Sequence, residues 1–255
     1  MEKQINIDNV IDLKYLYFDY DNMPKELKAE YDEMENTITE WISNYSISIV
    51  NKTNYYAEHY IVNKKLKKRI FDKDAFAWKA GKVTWNNNML CCQNEERGGY
   101  LNGMNNRVDK NEFSNYIEQL ETKKADIESG LQGEKWEEIY DVMKADAPKN
   151  FGPVNILNAL FFISGGKAPI YDQFVHKAVR ALASDIYPGD VYLGNNPDKN
   201  ETQKVIIMYK EYMLLLRKLF PSKCCKNGVF IPRDLDRALW VYGHAQRKNE
   251  EMLID

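Results

Sequence analysis

The sequence predicts a mostly α-helical protein, and three observations carry that prediction. Apolar residues recur at steps of three and four through several segments. One segment, PVNILNALFFIS from Pro153, is apolar nearly all round and so belongs inside a helical core. Strand signals are few and short: KVTW at Lys82 and VYLG at Val191, while YSISIV at Tyr45 alternates but can equally continue a helix.

Taken in order, the first helix runs between Lys25 and Asn44, where Leu27, Tyr31, Met34, Ile38, Trp41 and Ile42 share a face. The Asn- and Gly-rich stretch from Trp85 to Arg107 predicts a long loop or a small hairpin. A helix from Asn111 to Ser129 buries Phe113, Tyr116, Ile117 and Leu120. The next follows Gly133, uses Trp136, Ile139, Tyr140 and Met143, and must end before Pro148. Pro153 suits the first turn of the apolar helix, since its missing N–H costs nothing there, and Gly165 and Gly166 end it. From Asp172 to about Tyr187, Phe174, Ala178, Val179 and Leu182 fall on one side. Asn200 can cap a long helix from Glu201 to Phe220, stopped by Pro221. A last helix starts near Asp234 and carries Leu235, Ala238, Leu239 and Tyr242. One or two short β-hairpins complete the expectation. The expected division is a helical N-terminal region with loop or hairpin over 1–108 and a helical core over 109–255.

Composition narrows the class. Hydrophobic residues make up 44% and charged residues 29%, the balance of a globular chain rather than a disordered one. The longest apolar run is broken by Asn158, far short of the roughly 20 residues a bilayer demands. MEKQINIDNV lacks the basic-then-apolar pattern of a secretion signal, so cytoplasmic residence is expected. The cysteines form adjacent pairs, Cys91-Cys92 and Cys224-Cys225; zinc sites space their ligands two to four residues apart, so reduced thiols and no metal or cofactor are expected. Net charge is −3, yet Lys149 to Lys248 holds fifteen Lys and Arg against eight Asp and Glu. That asymmetry points either to polyanion binding by the basic part or to uneven surface charge with no partner.

No phosphate-gripping glycine loop, G-x-G-x-x-G, H-E-x-x-H or G-x-S-x-G occurs. His59, His176 and His244 lie far apart; His176 stands one helical turn after Asp172 and on the same side. Asp172 itself opens a helix after a glycine-rich break. It can serve as an N-cap, or as a fixed carboxylate at the lip of a cleft.

The stretch FGPVNILNALFFISGGKAPIYDQFVHKAV, Phe151 to Val179, resembles the helix-hairpin-helix (HhH-GPD) DNA glycosylase superfamily, the 8-oxoguanine-glycosylase-like fold. Gly152 and Pro153 sit in a hairpin-like turn; an apolar helix, a Gly/Pro loop and then Asp172 follow in the family's order. RDLDRALWVYGH, Arg233 to His244, looks like the terminal helix of bacterial proteins with this core. The resemblance covers roughly Asp141 to Leu182 and that last helix. It implies a DNA partner, a nucleotide extruded into a pocket, and Asp172 stabilising the cationic sugar as the base departs. Lys149, Asn150, Gly152, Lys167, Gln173 and His176 become the candidate nucleic-acid contacts around it.

The chain departs from the family twice. The hairpin usually carries two glycines, and Lys149-Asn150-Phe151-Gly152 supplies one. The lysine with which bifunctional members form a Schiff base would fall on Pro153 or Val154, so base removal without strand scission is expected. The alternative is a non-catalytic nucleic-acid-binding or protein-interaction module on the same helical fold.

Two further stretches could meet nucleic acid. KKLKKR, Lys64 to Arg69, holds five positive charges in six residues, a run that otherwise marks a solvated face. FAWKAGKVTW interleaves Trp78 and Trp85 with Lys79 and Lys82, offering rings for stacking and lysines for phosphates. Phe76 reads as core; Trp78 is open to either role.

Overall fold

The computed structural model describes residues 25, 28, 29, 32, 62–79, 83–86, 89–92, 99–102, 106–186, 202–220 and 235–243. These are mostly helical, with four short strands. Of the helix expected over Lys25–Asn44, residues 25, 28, 29 and 32 are described and helical. The strand candidates at Tyr45 and Val191, the cap at Asn200, the Cys224-Cys225 pair, His59 and His244 lie outside the described residues.

Contacts divide the chain into two compact units. One comprises Ile49–Ile170 with Lys199–Ile206; the other comprises Met1–Ser48, Tyr171–Asp198 and Ile207–Asp255. The boundary expected after residue 108 falls inside the first of these. There β4 (Asn106–Asp109) runs straight into α3 (Lys110–Thr122), with Asp109 both closing the strand and capping the helix.

The first unit begins with α1 (Asn63–Lys68) and α2 (Lys73–Lys79). Two antiparallel pairs follow, within the one or two short hairpins expected. β1 (Val83–Asn86) pairs with β2 (Met89–Cys92) in the register Val83↔Cys92, and β3 (Gly99–Asn102) pairs with β4 in the register Gly99↔Asp109. The expected helix over Asn111–Ser129 is two helices, α3 and α4 (Lys124–Gln132), broken at Lys123. The break has a local and a distant cause. Thr122 Oγ1 donates back to the Gln119 carbonyl at 2.8 Å, sharing it with the Lys123 N–H at 3.1 Å, the kind of back-bond that bends a helix. The Lys123 ammonium is meanwhile held by the Val142 carbonyl at 3.2 Å and by Asp146.

α5 (Trp136–Lys144) buries Trp136, Ile139, Tyr140 and Met143 as its periodicity requires. It packs against α6 (Pro153–Ile163), in which everything but Val154 and Asn155 is buried. Asn158 is buried within α6, and its side-chain amide has no partner among the described residues. Packing around α6 is aromatic: Phe71, Phe76, Phe113, Phe151 and Phe162 meet at centroid distances from 5.3 to 6.2 Å. Such pairs contribute about 0.5–1.5 kcal/mol each beyond the area they bury.

In the second unit, α7 (Gln173–Ile186) and most of α8 (Thr202–Leu219) border a tyrosine cluster, and a helix over 235–243, here α9, meets α7 at Phe174. Tyr171 lies 5.4 Å from Tyr209 and 5.0 Å from Tyr212, ring to ring, and all three are buried. Leu235, Ala238 and Leu239 are buried on α9 as expected. Gly243 sits so close to the Phe174 backbone carbonyl that a Cβ there would overlap it, so a glycine is required for α9 to approach α7.

Candidate functional site

Asp172 is the N-cap of α7. Its Oδ1 accepts the N–H of Phe174 at 2.8 Å and that of Val175 at 3.1 Å, while its carbonyl accepts the N–H of His176 at 2.9 Å. The side chain is half-buried. A carboxylate so placed satisfies helix donors that would otherwise be orphaned and complements the positive end of the helix. Two other aspartates do the same. Asp72 Oδ1 accepts the N–H groups of Asp74 and Ala75 at 3.1 and 3.2 Å, and Asp109 Oδ1 those of Asn111 and Glu112 at 2.8 and 3.0 Å. Cap geometry therefore does not distinguish Asp172 from its two counterparts; its surroundings must.

The approach to Asp172 along the chain is tightly specified. α6 ends with Gly165 at φ 66° and Gly166 at φ 86°, their N–H groups returning to the carbonyls of Phe162 and Phe161 at 3.0 and 2.8 Å. This is the Schellman closure that left-handed glycines permit. Ser164 Oγ then accepts the Ala168 N–H at 3.0 Å, which pins the following loop. The loop's last residues, Ala168, Pro169 and Ile170, are buried.

The residues flanking Asp172 differ sharply. Gln173 is exposed. His176 is fully buried, with its Nδ1 2.8 Å from the Tyr171 hydroxyl, a hydrogen bond whose direction follows the imidazole tautomer. The expected nucleic-acid contact at His176 is thus corrected: α7 turns that position into the tyrosine cluster, and the ring is core. Burial pushes the Tyr171 hydroxyl well above the ordinary phenol range, and the nearby Glu211 and Asp172 carboxylates push it further.

At the turn before α6, Lys149 and Asn150 are exposed and Gly152 is half-buried. Phe151 donates its N–H to the Pro148 carbonyl at 3.0 Å, and Asn150 stands at φ 69°. Asparagine tolerates that left-handed conformation, which otherwise favours glycine. Gly152 has an ordinary extended backbone, φ −70° and ψ 169°. The idea that this turn's amides grip a phosphate meets a competitor. The Lys149 N–H donates to Glu112 Oε2 at 3.0 Å, which places a carboxylate where the anion would sit.

Trp78 and Lys79 end α2, and both are half-buried. The Trp78 ring meets Phe162 edge-on at 5.9 Å, so one edge of it is packing surface. Phe162 lies nine residues from Pro153, about 14 Å along α6, so Trp78 packs toward the far end of the helix from the turn. Lys167 is exposed just past the paired glycines. The Lys149–Gly152 group and the Trp78–Lys79 pair are therefore separate features of the first unit.

Sequence reasoning passed over the internal order of KKLKKR. It forms α1, and the helical period sorts its cations. Lys65 pairs with Asp72 and, at 3.6 Å, with Asp74; Arg69 pairs with Glu128 and donates from Nε to the Ile163 carbonyl at 2.9 Å. Arg69 holds φ 56°, unusual for a side chain, and joins α1, α4 and α6 in exchange. The Asp74 carboxyl is raised from its usual range, first by burial and then by Asp72, with Lys65 and Lys73 opposing.

Among the described residues, no group of three or more His, Cys, Asp and Glu could hold a metal ion, and no helix is long and apolar enough to cross a membrane. The chain matches no protein-family model, no curated protein and no solved structure.

Proposed function

We propose that the protein binds DNA and removes a damaged or modified base by hydrolysis, with Asp172 as the catalytic carboxylate. The observation that carries this reading is a half-exposed carboxylate fixed by the N–H groups of its own helix, beside an exposed Gln173. Positive charge develops on the sugar as a base departs, and a charge of opposite sign held in place stabilises it without reorganising. The base reaches such a group by leaving the stack. Further support comes from the sequence of elements: α5 in contact with α6 across a turn completed by Asn150, then two left-handed glycines, then the aspartate.

Pro153 and Val154 stand where a Schiff-base lysine would have to be, so release leaves the strand intact. Duplexes each carrying a single altered base test this directly. The expected result is free base and an unbroken abasic strand, with no covalent adduct under borohydride. A trapped adduct would contradict the hydrolytic route, and no release from any duplex would contradict the enzyme.

A second reading, a nucleic-acid-binding or protein-interaction module without catalysis, draws on the Glu112 contact to Lys149 and on the equivalent caps at Asp72 and Asp109. It predicts retention on DNA without base release.

A further inference from the structure

We propose that the outer face of α1, formed by Lys64, Lys67 and Lys68 with Lys167 nearby, docks the phosphate backbone of DNA. The three α1 lysines stand at i, i+3 and i+4 and so share one side of the helix, their Cβ atoms about 5–6 Å apart. All three are exposed, as is Lys167. The opposite side of α1 carries Lys65 and Arg69, and these engage the neighbouring acids: Asp72 and Asp74 at Lys65, and Glu128 at Arg69. The described ion pairs leave Lys64, Lys67, Lys68 and Lys167 unmatched.

Lys167 belongs to the same region through the α6 terminus. A Cβ on Gly165 would lie 3.3 Å from Arg69 Cγ and 3.6 Å from the Leu66 carbonyl, and Lys167 follows two residues later. The glycine closure of α6 thus rests on the C-terminal end of α1, and both segments show cations outward.

The helix's own chemistry does not account for this face. Lysines in the last turn complement the helix dipole, but Lys64 precedes that turn and gains nothing from it. No acidic residue lies in α1 to offset it. Like charges at these spacings repel, and a row of phosphates relieves the repulsion. A membrane surface would call for apolar residues beside the lysines, whereas Val62 is buried and Leu66 half-buried. A protein interface would call for an aromatic or aliphatic anchor, which α1 lacks on this side.

The proposal takes its choice of DNA from the reading above but needs no base release. Its test is retention of a random-sequence duplex by the full chain between about 50 and 200 mM salt. Replacing Lys64, Lys67 and Lys68 together by Gln is expected to make the log–log salt slope shallower by about 2.7, three phosphates at 0.9 each. The triple Lys→Arg variant, which keeps charge, is expected to retain the wild-type slope, and circular dichroism should show both variants folded. A wild-type slope in the Gln variant would overturn the proposal, as would an equal loss in the Arg variant. So would wild-type protein held by phosphatidylserine vesicles but not by duplex. The slope is read without any base release, so failure of the docking face and failure of base excision remain separately visible.

Discussion

The two units bury aromatic rings in opposite ways. Around α6 the rings are chiefly phenyl: Phe71, Phe76, Phe113, Phe151 and Phe162. Around α7 and α8 they are phenols, with Tyr171, Tyr209 and Tyr212 in contact and His176 bonded to the first. A phenyl ring asks only to be kept dry. A phenol must also place a hydroxyl, and a buried hydroxyl without a partner costs more than its hydrogen bond would have contributed. The phenyl core therefore depends on volume, while the tyrosine core depends on volume and on hydrogen-bond geometry beside the Asp172 cap.

The largest effects come from volume. Phe151→Ala should cost about 3–5 kcal/mol in denaturant unfolding, because Phe151 touches Phe71, Phe76, Phe113 and Tyr116 at once. Gly243→Ala should cost at least about 1–3 kcal/mol, since the new methyl meets the Phe174 backbone rather than a side chain that could swing away. A near-neutral Gly243→Ala would mean that α9 is not packed against α7 as described.

Removing single hydroxyls sharpens the contrast. Tyr171→Phe leaves His176 Nδ1 without this partner in a buried site and should cost about 1–3 kcal/mol. Tyr116 sits against Phe151, and its buried hydroxyl has no partner among the described residues, so Tyr116→Phe removes a desolvation penalty and should raise stability, by up to about 1–3 kcal/mol. Equal costs for the two would erase the distinction.

A further effect shows only in alkali. Burial raises the Tyr171 and Tyr209 hydroxyls in one unit and Tyr116 in the other. With the folded pKa raised, the native state keeps protons that the unfolded chain loses above about pH 10, so stability is intact below that pH and falls as pH rises beyond it. Tyr209→Phe should flatten the fall by up to about 1.4 kcal/mol per pH unit. An unchanged slope would place Tyr209 in contact with water.

Much of this was legible in the sequence where one segment carries its own signal. Trp136, Ile139, Tyr140 and Met143 announced α5, Pro153 and the paired glycines bracketed α6, and Leu235 to Leu239 marked α9. What stayed hidden depends on partners distant along the chain. The break at Lys123 answers to Val142 and Asp146. The burial of His176 comes from a tyrosine cluster completed by α8, and the sorting of the α1 cations needs Asp72 and Glu128. Asp172 illustrates the limit best: Asp72 and Asp109 make the same two bonds, so local pattern alone cannot separate a cap from a catalyst.

Asp172→Asn makes that separation, because asparagine caps a helix as well as aspartate but carries no charge. The decisive measurement is single-turnover base release by wild type and Asp172→Asn, each melted in parallel. The account predicts melting temperatures alike and release slowed by about 10²–10³-fold or more. Undiminished release by a folded Asp172→Asn protein would contradict it and leave Asp172 a cap like the other two.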